Sequence, residues 1–488
     1  MKKSGFVNSL QTLQWALLLA GPIALFFSYH PVISIGSTDT TNFEFSLAEI
    51  WLVLFAIVSL INLKSLIKFY GKKLFLLSLF PVYALLSSIW SANHLRALLT
   101  SGLLLLLVFV GLNIYHFIKT HPAKLKTLQK ILILAGIGFS LFCWLQCVLD
   151  LLGLSRSVTL LCRGCTYLSF GYPHPNGFAI EPQFAGNLLL APALLAVYGI
   201  VTKNPLFKKA WQTIFTIFLI STIFLTFSRG AIYALIIGLG LIFLAQFPVI
   251  KYIKKKSNKG SFNRRAFLII PIALGCFLFV LCIQGIFAEL SPTSDTFWTG
   301  VSKSIHQLSL GKIDLRPAEL TDASSQTSPT ESLAVSTSSA PEVQSETTQS
   351  SFDGYVEESS AFRSELTRDA LDVWNDSPTN LLFGTGLGSA GIKLYEKHPE
   401  LGFSKEIVQN QYASILLELG LVGFLLAALT VGFIIYWIRP DALLISVLVA
   451  FAFTLFFFGG LPNALHVYLF PILLSHPSVK RAGRHKEQ

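Results

Sequence analysis

Twelve apolar stretches recur along the chain, approximately at 11–29, 47–63, 74–92, 97–118, 131–153, 184–201, 211–228, 230–250, 266–288, 412–437, 441–458 and 463–476. Most approach or reach the ~17–25 residues that a helix needs to cross a hydrocarbon core of about 30 Å. Inside lipid a backbone amide or carbonyl finds no water, so only helices or a closed barrel can span. The runs lack the period-2 alternation of barrel strands. Only 13% of the residues are charged and 53% are hydrophobic, whereas soluble domains carry about 25% charged residues. The sequence therefore predicts an all-α polytopic membrane protein with about 12 transmembrane helices.

The net charge of +11 is arranged as a topology signal. With the N-terminus in the cytoplasm, cytoplasmic segments hold 25 of the 37 Lys and Arg residues, in groups such as Lys64–Lys73, Lys251–Arg265 and Lys480–Lys486. Basic residues concentrated in alternate loops follow the positive-inside rule, which places both termini in the cytoplasm and argues against a nucleic-acid partner. The first apolar run has no clear small-residue cleavage site and is expected to stay as a signal anchor.

Four regions follow from the pattern: a first membrane region over 1–288 with nine helices, a large extracytoplasmic loop over 289–408, a second membrane region over 409–477 with three helices, and a cytoplasmic tail over 478–488. Within the loop, 320–352 is rich in Ser, Thr, Pro and Glu and is expected to be disordered, because it has too few bulky apolar residues to bury a core. An amphipathic helix is expected at about 360–376, where Phe362, Leu366, Ala370 and Trp374 recur every four residues. The stretch Phe383–Gly391 reads "FGTGLGSAG". With no preceding strand or βαβ unit it reads as a tight turn rather than a phosphate loop.

The outward loops other than the long one carry four basic residues, Arg96, Arg156, Arg163 and Arg229, and all are arginine; on the cytoplasmic side only five of 25 are. Lysine serves topology as well as arginine does, but only the guanidinium fork grips phosphate oxygens bidentately. The bias points to an anionic ligand on the outer side. Arg229 stands between two apolar runs in "LTFSRGAIYA" and is the sharpest member, its alternative being a snorkelling residue at a turn. The loop 154–183 adds His174, Asn176 and Glu181, together with Cys162 and Cys165, a pair open to a disulfide, to free thiols or, less readily, to metal. Further on, Gln411, Ser414 and Glu418 form a polar stripe on one helix face, suited to interhelical hydrogen bonds or to chemistry.

Taken together, "EPQFAGNLL" from Glu181, "FSRGA" from Phe227, "FRSELTRDALDVW" with "LLFGTGLG" in the large loop, and "QNQYASILLELGLVGF" from Gln409 resemble the O-antigen ligase and O-antigen polymerase superfamily of bacterial membrane glycosyltransferases. The resemblance implies a glycosyltransferase-C-like fold in the cytoplasmic membrane with its site on the outer side. It further implies transfer of a glycan from undecaprenyl pyrophosphate to the hydroxyl of a glycan, lipid or protein acceptor, with no cofactor and no metal. Arg229 and Arg363 would then hold the pyrophosphate, with Arg156, Arg163 and Arg368 as further candidates. Family ligases carry a His-Asn pair where this chain has Gln409 and Asn410. Glutamine is no general base, so Gln409 would orient the acceptor hydroxyl, leaving Glu181, His398 and His174 as candidate bases. The competing reading is a transporter or flippase of a polysaccharide or lipid-linked precursor.

Overall fold

The computed structural model describes residues 2–29, 31–35, 43–154, 159–161, 172–246, 264–291, 296–310, 312–313, 315, 355–401, 408–459 and 464–475. The expected disorder at 320–352, the residues Arg156, Arg163, Cys162 and Cys165, and the tail at 478–488 lie outside the described residues.

Helix α1 (Lys2–Ala24) ends in a 3-10 turn, Leu25–Phe27. A short hairpin follows, β1 (Val32–Ile35) antiparallel to β2 (Phe43–Ser46), with Val32 opposite Ser46 and Ile35 opposite Phe43. This two-stranded ribbon is an addition to the all-helical expectation. Ser46 then starts α2 (Leu47–Ser59): its Oγ accepts from the Glu49 amide at 3.3 Å, and Glu49 Oε2 accepts from the Ser46 amide at 2.8 Å. This reciprocal cap satisfies two amides that the first turn would leave unpaired. The chain continues through α3 (Leu63–Tyr70), α4 (Lys73–Leu86), α5 (His94–Thr120), α6 (Pro122–Leu151), α7 (Pro182–Val201), α8 (Lys209–Leu225), α9 (Arg229–Leu244) and α10 (Ile269–Leu290). Helices α11 (Phe297–Leu308), α12 (Tyr355–Trp374), α13 (Pro378–Phe383) and α14 (Ala390–Lys397) lead to α15 (Gln411–Ile438), α16 (Ala442–Thr454) and α17 (Leu465–Leu474).

Among the described residues, seven helical segments are long and apolar enough to cross a membrane, and five more apolar helices are shorter. Each of the twelve expected runs overlaps one of these helices. The fold is that of an all-α polytopic membrane protein.

Helix α7 is apolar all round and buried along nearly its whole length. It packs against α6, α8, α9 and α16, so it forms the axis of the bundle. Small residues let its neighbours approach: a Cβ at Gly186 would lie 2.6 Å from the Ala231 Cβ, and one at Gly238 would lie 2.7 Å from Leu194. Outer helices show lipid-type rows instead, such as Ile270, Leu274 and Leu278 on α10 and Leu421, Leu425 and Leu429 on α15. Cys143 and Cys147 on α6 and Cys276 on α10 are buried, whereas Cys282 is exposed on α10.

The amphipathic helix is α12. It begins at Tyr355 and ends at Trp374, and the face it buries is Leu366, Ala370 and Val373, packed with Val408, Ala413 and Leu417. Phe362 stays exposed, and Trp374 is half-buried with its Nε1 donating to Leu381 O at 3.0 Å. The stripe therefore follows a 4–3 spacing rather than uniform fours, as a helix of 3.6 residues per turn requires.

Candidate functional site

The residues around Arg229 form a tightly specified turn. Thr226 Oγ1 accepts from the Ser228 amide at 3.4 Å, and Ser228 Oγ accepts from the Ala231 amide at 3.4 Å, so Ser228 caps α9 and Arg229 is its first residue. Between them Phe227 has φ +46°, a left-handed conformation unusual for a bulky side chain. Its ring is buried against His174, centroids 5.6 Å apart. Burial also holds the His174 imidazole far down, to about 3. At that value the ring is a poor proton acceptor at neutral pH, and its place in the fold is to wall the Phe227 turn.

Arg229 is half-buried, and Gly230 beside it is approached closely. A Cβ there would lie 3.4 Å from the Phe457 Cβ and 3.7 Å from Gln183 Nε2. Gln183, in the first turn of α7, donates to Phe457 O at 2.6 Å. The segment after α16 thus touches the starts of both α7 and α9, bringing Glu181, the N-cap residue of α7, into the region of Arg229.

The same segment also holds the start of α15. The Gln411 amide donates to Leu455 O at 2.9 Å, and Tyr412 Oη donates to Ala452 O at 2.7 Å. A Cβ at Gly459 would clash with the Val408 carbonyl and lie 3.6 Å from the Gln409 Cα. Gln409 and Asn410 are half-buried. Asn410 Oδ1 accepts from the Tyr412 and Ala413 amides at 3.1 and 3.3 Å, so its oxygen is used to cap α15.

Arg363 lies on α12 one turn before Leu366, the buried contact to the Val408 cluster. It is half-buried, and Arg368 is exposed. Residues 455–459 and the α12 contact therefore tie together the elements that bear Glu181, Arg229, Gln409, Asn410 and Arg363.

His398 belongs to a different cluster. Its Nε2 is 3.5 Å from Asp372 Oδ2 and its Nδ1 is 3.1 Å from Glu400 Oε1. Lys397 reaches Asp372 at 2.9 Å and Asp376 at 3.0 Å. These exposed pairs fasten the end of α14 to α12. Hydrogen bonding and charge from Lys397 hold Asp372 below its usual carboxylate range, and the same contacts raise Lys397.

The glycine-dense turn proves to be a partner for a broken helix. Gly420 has φ +63° inside α15 and interrupts the ladder. The freed carbonyls are capped from the turn: the Thr385 amide donates to Leu417 O at 2.9 Å and the Gly386 amide to Glu418 O at 2.8 Å. Tyr83 Oη adds a bond to Leu419 O at 3.0 Å. Glu418 Oε1 accepts from the Ala390 amide at 3.2 Å, and the Arg96 charge acts on the same carboxylate. Non-helical backbone at membrane depth needs such protein partners. Glu418, part of the polar stripe expected on this helix, thus belongs to a helix–loop joint on which the Arg96 charge also acts.

Sequence reasoning missed this break because hydropathy runs unchanged through it. The signal was the pairing of "FGTGLG" with "LELGLVG". It also missed Tyr29 and Glu49, although Ser46 and Glu49 have the S-x-x-E spacing of a cap before an apolar run. Among the described residues, no group of three or more His, Cys, Asp or Glu is placed to hold a metal ion.

No curated protein matches the chain. Residues 214–428 match the family described as O-antigen ligase. The match runs from α8 into α15 and encloses Arg229, Arg363, Gln409, Asn410 and the Gly384–Gly420 joint, while Tyr29, Glu49 and Glu181 precede it. The match covers less than half of the chain and supports its resemblance to the O-antigen ligase and O-antigen polymerase superfamily.

Proposed function

We propose that the protein is a glycosyltransferase of cell-surface polysaccharide biosynthesis that moves a glycan from undecaprenyl pyrophosphate to an acceptor hydroxyl at the outer face of the bacterial cytoplasmic membrane. The observation that carries this reading is the placement of Arg229 as the first residue of a helix, inside the O-antigen ligase domain, at the segment that also anchors Gln409. A helix start presents unpaired amides and the positive end of the helix dipole, which favour an anion. A guanidinium there adds the bidentate fork that phosphate oxygens accept.

In this reading Arg229 and Arg363 bind the pyrophosphate, with Arg156, Arg163 and Arg368 as further candidates. As the bond between the sugar C1 and the phosphate oxygen breaks, negative charge grows on the pyrophosphate, and the two guanidinium groups stabilise it. The Gln409 amide orients the acceptor oxygen that attacks C1. The reaction uses neither a nucleotide sugar nor a cofactor, and the leaving group is neutralised by arginine rather than by a metal ion.

The test is transfer by the purified protein from undecaprenyl-pyrophosphate glycan to candidate acceptors, with Arg229→Ala and Arg363→Ala compared with wild type. Loss of transfer in both variants supports the assignment. Unchanged transfer by both would remove the arginine roles, and absence of transfer by the wild-type protein to every acceptor would favour transport of the same lipid-linked precursor.

A further inference from the structure

The phenol of Tyr29 is buried, 6% exposed, and its oxygen has no hydrogen-bond partner among the described residues. Leaving such a group unsatisfied costs about 1–3 kcal/mol, so a buried orphan hydroxyl calls for an explanation. Its surroundings supply one. The Tyr29 ring lies edge-on to Phe184 with centroids 4.7 Å apart, and Phe184 in turn meets Phe458 at 4.6 Å. Phe184 lies one turn after Glu181, whose carboxylate makes no capping bond to its own helix. On the other side, the turn that ends α1 packs on α2, where Glu49 is buried at the capped first turn. The charges of Glu49 and Glu181 both act on the phenol oxygen. One orphan hydroxyl is therefore flanked by aromatic rings and lies within reach of the charges of two carboxylates. This corner adjoins Gln183 and Phe457, the neighbours of Gly230.

We propose that Tyr29, Glu49 and Glu181 form the subsite for the acceptor, a neutral sugar residue, with Glu181 taking the proton from the attacking hydroxyl. The inference rests on the reading of the chain as a glycan transferase and adds the acceptor side to it. A sugar suits the corner because its hydroxyls donate to carboxylates and accept from a phenol, while its C–H faces pack on aromatic rings. In the reaction the acceptor oxygen forms a bond to the donor C1 as its proton passes to the Glu181 carboxylate. The bond from C1 to the pyrophosphate oxygen breaks, and its electron pair leaves with the pyrophosphate. Tyr29 and Glu49 hold the sugar by hydrogen bonds and act as positioning residues. A uronic acid would bring a third carboxylate beside two, and like charges at one site repel. The subsite therefore selects neutral acceptors.

The test uses the full-length protein, undecaprenyl-pyrophosphate glycan as donor, and two acceptor glycans that differ only in a neutral hexose or its uronic acid at the terminal position. Tyr29→Phe should raise the acceptor KM by about 5–10-fold, the loss of one hydrogen bond, with the donor KM unchanged. Glu181→Gln should lower kcat by about 100-fold or more, the range for removing a general base. The uronic-acid acceptor should be used at least about 10-fold less well, a difference of about 1.4 kcal/mol, and Glu49→Gln should narrow that gap while keeping the cap on Ser46. Each variant is checked for an unchanged unfolding transition. A Tyr29→Phe enzyme with the wild-type acceptor KM, a Glu181→Gln enzyme with the wild-type kcat, or equal use of both acceptors would overturn the subsite. Loss of donor use by wild type with every acceptor would instead remove the transferase reading, and this inference with it.

Discussion

Replacing Gly420 with Ala should loosen the joint between α15 and the 383–391 turn far more than replacing any lipid-facing glycine of the same helix. Gly420 has φ +63° and ψ −171°, and Gly384 facing it has φ +74° and ψ −178°. That region of backbone space is essentially restricted to glycine, and occupying it with a side chain costs about 1–3 kcal/mol. The added Cβ would also collide with the Leu382 carbonyl and come within 2.5 Å of the Gly384 nitrogen. Both contacts are to backbone, so no rotamer change relieves them. Moving the turn away breaks the Thr385 and Gly386 bonds to Leu417 O and Glu418 O, at about 1 kcal/mol each. The expected destabilisation is about 4 kcal/mol, the middle of the strain range plus two hydrogen bonds. Gly432 on the same helix has open space around its Cα, and Gly432→Ala should change stability by less than about 1 kcal/mol, in the stabilising direction. Reversible SDS titration in mixed micelles measures both differences. Equal stability of the two variants would refute the role given to the Gly384–Gly420 contact.

Glu418→Gln should lower stability by about 1–3 kcal/mol, because it sets an NH2 group where a buried carboxyl oxygen accepts from the Ala390 amide, while kcat at saturating substrates stays near wild type; a selective loss of kcat would make Glu418 catalytic. The α14–α12 contact should depend on pH in a defined direction. Asp372 is held below its unfolded value, so its contribution is present above the unfolded pKa, near 4, and is lost as pH falls through the lower folded value. Protease nicking between Lys397 and Val408 should then rise below about pH 4, in Lys397→Ala as well as at low pH in wild type, and a flat profile would contradict the ion-pair account of that fastening. Phe227→Ala keeps the left-handed turn strained while removing its contact with His174, and should cost about 3–5 kcal/mol, the range for an aromatic core truncation; SDS titration with a loss under about 1 kcal/mol would show that the ring does not hold the turn.

The helices were legible in the sequence because lipid demands long apolar segments, and each expected run overlaps one. Arg229 was legible for the same reason, as a charge between two runs, and the structure puts it at a helix start with its cap at Ser228. The break at Gly420 was not legible. Its cost is met by amides of Thr385 and Gly386, more than thirty residues earlier in the chain, and no local pattern carries a partnership at that separation. Glu418 looked like chemistry inside a span for that reason. The hairpin at 32–46 is too short to stand out from the apolar runs on either side. Tyr29 was hidden because an aromatic residue at the end of an apolar run has the ordinary composition of an interface. Its distinction lies in the Glu49 and Glu181 charges that the fold brings to it.

The most direct measurement of the central claim is kcat/KM for transfer from undecaprenyl-pyrophosphate glycan by wild type, Arg229→Lys and Arg229→Ala. Arg229→Ala should fall by about 100–1000-fold, the loss of one charge-stabilising donor, and Arg229→Lys should lie between, because it keeps the charge but not the planar fork. An Arg229→Ala enzyme that is folded and within about threefold of wild type, a difference of less than 1 kcal/mol, would contradict the assignment of Arg229 to the pyrophosphate.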